Sequence, residues 1–207
     1  MRSSLPQLAS HLPGRLDYLR APSLAFLELS SISRGLFVTD VVLKKAPVKF
    51  LTSQAISAGK HILLFFGDVA SVEESYLAAL SEAAGTLVKN IFIPGVHSGL
   101  APFLNCLWDD GTVAQTPGVD DALGIVESLS LSGAILAADR SLKAADVALC
   151  RMKLGKGIGG KAYYVVCGKL GEVQASVQEA ESCLTELGSL ARVDLIPRPQ
   201  EELMEHL

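Results

Sequence analysis

The sequence predicts an α+β protein made of two tandem β-α-β-β-α-β domains. Three observations lead there. A stretch opening Leu24-Ala25-Phe26-Leu27-Glu28 returns 99 positions later as Leu123-Gly124-Ile125-Val126-Glu127. Within each copy, short apolar runs alternate with segments of helical period. Both copies close on an apolar run ending in Ile-Pro, at Ile93-Pro94 and Ile196-Pro197. A repeat this long points to two fused domains, because solenoid repeats have periods of about 20–50 residues.

The repeat divides the 207 residues into an N-terminal arm (1–22), a first domain (23–97), a linker (98–121) and a second domain with a C-terminal tail (122–207). In the arm, leucines at 5, 8, 12, 16 and 19 recur at helical steps, interrupted by Pro6 and Pro13. In the first copy, 24–29 reads as a buried strand. Ser30 or Ser31 can cap a helix over 32–46, whose apolar residues fall on one stripe before Pro47 stops it. Strands follow at 48–56 and 60–66, joined by the tight turn Ser57-Ala58-Gly59. A second helix spans 69–84 and a fourth strand 87–94.

The second copy repeats this order: strand 122–127, helix 131–145, strand 147–154, glycine-rich turn 155–160, strand 161–167, helix 170–187 and strand 190–196. Such an order makes an antiparallel sheet with both helices on one face, the split βαβ or ferredoxin-like arrangement. Leu100, Phe103, Leu104 and Leu107 give the linker a short helix, and Asp109-Asp110-Gly111 and Thr116-Pro117-Gly118 are turns.

Composition narrows the function. The chain is 49% hydrophobic and 19% charged. No apolar run approaches the roughly 18 residues of a membrane span. The surplus apolar surface points to subunit interfaces. A net charge of −4 without a basic cluster argues against nucleic acid. No secretory signal is expected from the N-terminus. Cys106, Cys150, Cys167 and Cys183 show no zinc spacing and read as free thiols of a reducing cytoplasm.

No catalytic or metal set emerges. The histidines are scattered, and Ser57 has no nucleophile context. Lys156-Gly157-Ile158-Gly159-Gly160-Lys161 lacks phosphate-loop spacing and precedes a strand, so helix-dipole binding of phosphate is missing. Its glycines instead offer exposed backbone N–H groups and close approach of copies around an axis. Asp40/Lys44 and Asp139/Lys143 are i,i+4 pairs, each contributing a few tenths of a kcal/mol on a surface helix. Their recurrence in both copies suggests a shared use.

The run Ala-Leu-Gly-Ile-Val-Glu (122–127), Ala138-Asp139, Lys143-Ala144-Ala145-Asp146-Val147, the glycine-rich turn and Ile196-Pro197-Arg198-Pro199 resemble the bacterial microcompartment shell proteins. The resemblance covers about 24–97 and 122–200, and two copies resemble the tandem-domain type, as found in propanediol-utilisation compartments. It implies a structural protein rather than an enzyme, in the shell of a compartment in the bacterial cytoplasm. Homotrimers would form pseudohexameric tiles and pack edge to edge with hexameric shell proteins around encapsulated enzymes.

Further implications concern single residues. Ser57, Ala58 and Gly59, with Gly157, Ile158, Gly159 and Gly160, would line a central pore for small metabolites. Lys44, Lys143 and Arg198 would make tile-edge contacts. Two departures stand out. In the propanediol relative, a cysteine in the first pore turn helps bind an iron–sulfur cluster. Ser57 stands there in this chain, and serine is a poor cluster ligand, so no cofactor and no metal is expected. Gly95 stands where the second copy has Arg198. The alternatives are a redox-centre carrier and, on fold analogy alone, a small-molecule sensor.

Overall fold

The computed structural model describes residues 22–83, 85–105, 112–113, 117–118, 121–155 and 158–206. Nearly all of the N-terminal arm, Cys106, Leu107, Trp108 and Gly157 lie outside these residues.

The first domain runs β1 (Ser23–Leu29), α1 (Ile32–Lys45), β2 (Lys49–Ile56), β3 (Lys60–Gly67), α2 (Val69–Glu82) and β4 (Leu87–Ile93). Ser31 caps α1 by accepting the Arg34 N–H at 3.3 Å, and Asp68 caps α2 by accepting the Ser71 N–H at 2.9 Å. Lys44 and Lys45 in the last turn of α1 complement the helix dipole. All pairings in the sheet are antiparallel, in the order β2-β3-β1-β4.

The alternation of β1 explains why every residue in it is buried. Ala25, Leu27 and Leu29 pack with Val38 and Val42 of α1 and Val72 and Ala79 of α2. Leu24 and Phe26 face the opposite way, with Ile62, Leu64, Ile91 and Ile93. That face is covered by the linker. A 3-10 turn at Ser98–Leu100 and the short helix α3 (Ala101–Asn105) put Leu100, Phe103 and Leu104 into the same cluster. Each such burial contributes about 1.5–3 kcal/mol.

The linker continues through β5 (Thr112–Val113) into β6 (Ala122–Ser128), α4 (Leu131–Ala144), β7 (Ala148–Leu154), β8 (Ala162–Gly168), α5 (Leu170–Glu186) and β9 (Leu190–Ile196). A 3-10 segment, Glu201–His206, follows. The second sheet has the order β5-β7-β8-β6-β9, so the linker strand extends it beyond the four strands expected from sequence. Two residues are too short a signal for periodicity to reveal.

The cysteines differ from expectation. Cys150 and Cys167 form a disulfide, with α-carbons 6.4 Å apart, instead of two separate thiols. The reason is local register. Leu149 pairs with Val166 and Arg151 with Val165, so Cys150 is the extra residue of a β-bulge. The bulge turns Cys150 toward Cys167 on the helix-free face, within a cluster that includes Leu123 and Val165. Cys183 is a buried free thiol on α5, and burial pushes its pKa up.

Candidate functional site

The two glycine-bearing turns are built differently for one backbone requirement. Between β2 and β3, Ser57–Gly59 forms a 3-10 turn in which Ala58 (φ 62°) and Gly59 (φ 71°) are left-handed. Between β7 and β8, Gly159 (φ 65°) and Gly160 (φ 80°) take the equivalent positions. A left-handed residue carries no steric cost as glycine, but costs about 1–2 kcal/mol as alanine. Ser57, Ala58 and Gly59 are exposed, and Ile158 is half-buried.

The structure brings these turns together. Ser57, Ala58, Gly159 and Gly160 border one cavity of about 380 Å³ at the seam between the domains. Glu28 and Lys60 reach it from the first sheet, and Leu131, the first residue of α4, closes it from the second domain. Lys60 Nζ donates to Glu28 Oε1 at 2.6 Å. The Glu28 side chain is only 5% exposed, so this ammonium compensates for its loss of water. Glu127, Ile158, Lys161 and Tyr163 border a second cavity of about 410 Å³ on the helix-free face of the second sheet.

The lysine pairs occupy unlike surroundings. Lys44 Nζ lies 2.6 Å from Asp40, with both side chains in solvent. Lys143 instead spans the seam, donating to Asp139 at 2.5 Å and to the Gly95 carbonyl of the first domain at 2.7 Å. Asp139 also accepts the His97 N–H at 2.7 Å and is buried. Gly95 has φ 78°, a conformation that favours glycine, and this orients its carbonyl within the contact. Sequence pattern identified the pairs, but not that one of them ties the domains together.

Arg198 is exposed, just past β9. The segment after it repeats the one after β4: Leu203 N donates to the Gln200 carbonyl at 3.0 Å, as Leu100 N does to the His97 carbonyl. This extension of the repeat was missed in the sequence, because only leucine and the local hydrogen bond are shared.

A second missed feature lies under α1. His61 is buried, and its Nε2 is 3.0 Å from Ser53 Oγ, which is 2.7 Å from Thr39 Oγ1. Thr39 in turn donates to the Gly35 carbonyl at 2.8 Å. His61 Nδ1 has no partner among the described residues, and burial lowers the His61 pKa. Nothing in the local sequence around His61 signals this chain of hydroxyls.

Among the described residues, no helix is long and apolar enough to cross a membrane, and no group of three potential metal ligands gathers.

Two docked copies of one unit, with their loops converging at the seam, define a tandem-domain shell-protein architecture. The BMC domain model matches residues 23–96 and 122–199, and the chain belongs to this family of bacterial microcompartment shell proteins. It is 35% identical over 185 residues to the microcompartment shell protein PduT of Citrobacter freundii, covering 89% of this chain and 97% of the relative. The shell protein PduA of the same organism is 34% identical over 84 residues, covering 40% of this chain and 87% of PduA. A microcompartment protein of Desulfitobacterium hafniense matches in structure with a TM-score of 0.75 and 32% identity, covering 89% of this chain and 98% of that one.

Proposed function

We propose that this shell protein is a homotrimer whose six domains close a pseudohexameric tile around a pore. One observation carries the reading: α1 presents in solvent the face that α4 buries within the chain. Ile32, Leu36 and Leu43 are 41%, 59% and 56% exposed, whereas their equivalents Leu131, Ile135 and Leu142 are 3%, 0% and 5% exposed. Within the chain, α4 packs on β4 and the 98–100 turn. The matching surface for α1 is therefore β9 and the 201–206 segment of a second copy.

The polar contacts transfer in the same way. Lys44 of one chain would donate to the Arg198 carbonyl of the next, and Asp40 would accept the Gln200 N–H. Such a head-to-tail contact leaves one face unsatisfied at each end until the ring closes. Three seams within chains then alternate with three between chains. Ser57 and Ile158 alternate around the axis, with Ala58 and the glycines of both turns beside them, as a passage for small metabolites. Lys44, Lys143 and the Arg198 side chain face the rim, where hexameric shell proteins would abut, and encapsulated enzymes would contact one face of the layer. The role is structural, with Ser57 in place of a cluster-binding thiolate.

Mass in solution tests the ring. Sedimentation is expected to give three times the 21.9 kDa chain, and electron microscopy of concentrated protein is expected to show sheets. A protein that stays a single chain at every concentration refutes it.

A further inference from the structure

We propose that the N-terminal arm adds a strand to the open edge of the first sheet, with Arg15–Tyr18 lying antiparallel along β2. Every residue involved belongs to one chain, so this contact stands or falls apart from the ring.

The two sheets differ at one edge. In the second, β5 comes from the segment just before the domain and pairs with β7, Thr112 opposite Met152 and Val113 opposite Arg151. The equivalent positions of β2 are Ser53 and Thr52, which take the same places against β3 that Met152 and Arg151 take against β8. The register shift falls at the same point in both strands, after Phe50 and after Leu149. Yet β2 is outermost in its sheet, and among the described residues no strand pairs with its outer side. Alternate residues of an antiparallel strand turn their backbone groups to opposite sides, so half of those in Lys49–Ile56 face away from β3. Burial differs too. Leu149, Cys150, Met152 and Leu154 of β7 are buried, whereas no residue of β2 is. Phe50, Leu51 and Ile56 are left half-buried. An open edge of this kind is a template for pairing with another chain, and proteins cover it.

The arm is the segment placed to do so. It directly precedes β1, as the segment carrying β5 precedes β6. The Val96 N–H donates to the Pro22 carbonyl at 2.9 Å, which fixes the end of the arm beside the start of β1. Ser23 pairs with Gly67, and Phe66 with Lys49. Pro22 thus lies two strand spacings, about 10 Å, from the start of β2. Leu19–Pro22 can cross that gap, since four residues span up to about 14 Å. A strand entering this way runs antiparallel to β2, as β5 does to β7. Pro13-Gly14 interrupts the helical spacing of the leucines, and Arg15-Leu16-Asp17-Tyr18 then alternates polar and apolar. Proline just ahead of an edge strand is well tolerated. The BMC domain match begins at residue 23, so this cap lies outside the shared fold.

Hydrogen exchange at Phe50–Gln54, read residue by residue by NMR on the full-length protein, tests the cap. The comparison proteins are a chain lacking residues 1–21 and Leu16→Pro/Asp17→Pro. Two successive prolines remove the N–H groups on both sides of the arm strand, so one lost donor is a β2 partner. Alternate amides, those pointing away from β3, are expected to exchange at least about tenfold more slowly in the parent than in either variant. The intervening amides, bonded to β3, and those of β7 should keep the parent rates. Equal rates at Phe50–Gln54 in the parent and the truncated chain overturn the cap, as does faster exchange that extends to β7. Protection lost on truncation but kept with the prolines shows an arm docked in another form and overturns the strand. Protection that vanishes on dilution to single chains assigns the arm to a neighbouring copy and overturns the own-chain contact. Alternate protection in a protein that never exceeds a single chain supports the cap and refutes the ring alone.

Discussion

Leu36 and Ile135 hold the same place in two copies of one helix, yet Leu36 is 59% exposed and Ile135 is fully buried. The helices do not differ in pattern. They differ in what lies opposite: the first domain faces Ile135, and among the described residues nothing in the same chain faces Leu36. Substitution should separate these two situations. Leu36→Glu is expected to leave the melting profile of the single chain close to that of the parent while abolishing assembly. Ile135→Glu places an unpaired carboxylate in the core and should cost more than about 4 kcal/mol, enough to threaten the fold itself. Sedimentation combined with circular dichroism melts distinguishes the two. A Leu36→Glu protein that remains trimeric would show that α1 is not the docking face.

Gly35 and His61 form a size-matched pair. A β-carbon on Gly35 would lie 2.3 Å from His61 Cγ. The second domain has Ala134 and Ala162 at the equivalent positions, both small and buried. Gly35→Ala alone should therefore destabilise by about 1–3 kcal/mol through overpacking, even though alanine favours helix. His61→Ala alone opens a cavity and is expected to cost about 2 kcal/mol or more. The double variant recreates the second-domain pair of alanines, so it should be more stable than the sum of the singles predicts, by at least about 1 kcal/mol. Urea unfolding of the three proteins measures the coupling, and additive losses would refute it.

The same histidine makes stability depend on pH. Burial holds the folded-state pKa of His61 below its ordinary value of 6.5. Above that value both folded and unfolded states carry neutral imidazole, and the full stability is present. As pH falls below it, the unfolded chain takes up the proton first, so the fold loses stability until the folded pKa is also passed. The slope from this one group reaches at most about 1.4 kcal/mol per pH unit. Denaturation midpoints measured from pH 7.5 down to 5.5 should fall for the parent, and fall less for Gly35→Ala/His61→Ala. Parallel curves for the two proteins would exclude His61 as the source.

Much of this architecture was legible from the chain. The duplication, the order of strands and helices, and the glycine-bearing turns all follow from local rules: alternation in strands, a 3.6-residue period in helices, and glycine where the backbone is left-handed. What escaped reading depends on contacts between distant segments. Lys44 and Lys143 sit in the same Asp-x-x-Leu-Lys pattern, so no local rule says that only Lys143 meets the Gly95 carbonyl. The Cys150–Cys167 link requires the bulge in β7, and sequence alternation alone gives no sign of an extra residue. The approach of Gly35 to His61 joins α1 to β3, and glycine in mid-helix reads locally as a weakness rather than as half of a fitted pair. The seam cavity arises only when two separately legible domains dock.

Ala58 and Gly159 offer the most direct comparison between the two copies. Both residues are left-handed, at φ 62° and 65°. Ala58 bears the steric cost of that conformation, about 1–2 kcal/mol, and Gly159 does not. Glycine has its own cost, because its unfolded chain is freer by about 0.5–1 kcal/mol. The difference leaves a net gain of a few tenths to about 1 kcal/mol for Ala58→Gly. Gly159→Ala should lose a similar amount. A β-carbon there meets no atom of the described residues within 4 Å, so the term introduced is backbone strain. The two substitutions should thus shift the melting temperature in opposite directions by comparable amounts. If both lower it, then Ala58 is retained for a contact of its methyl group rather than tolerated against its backbone preference.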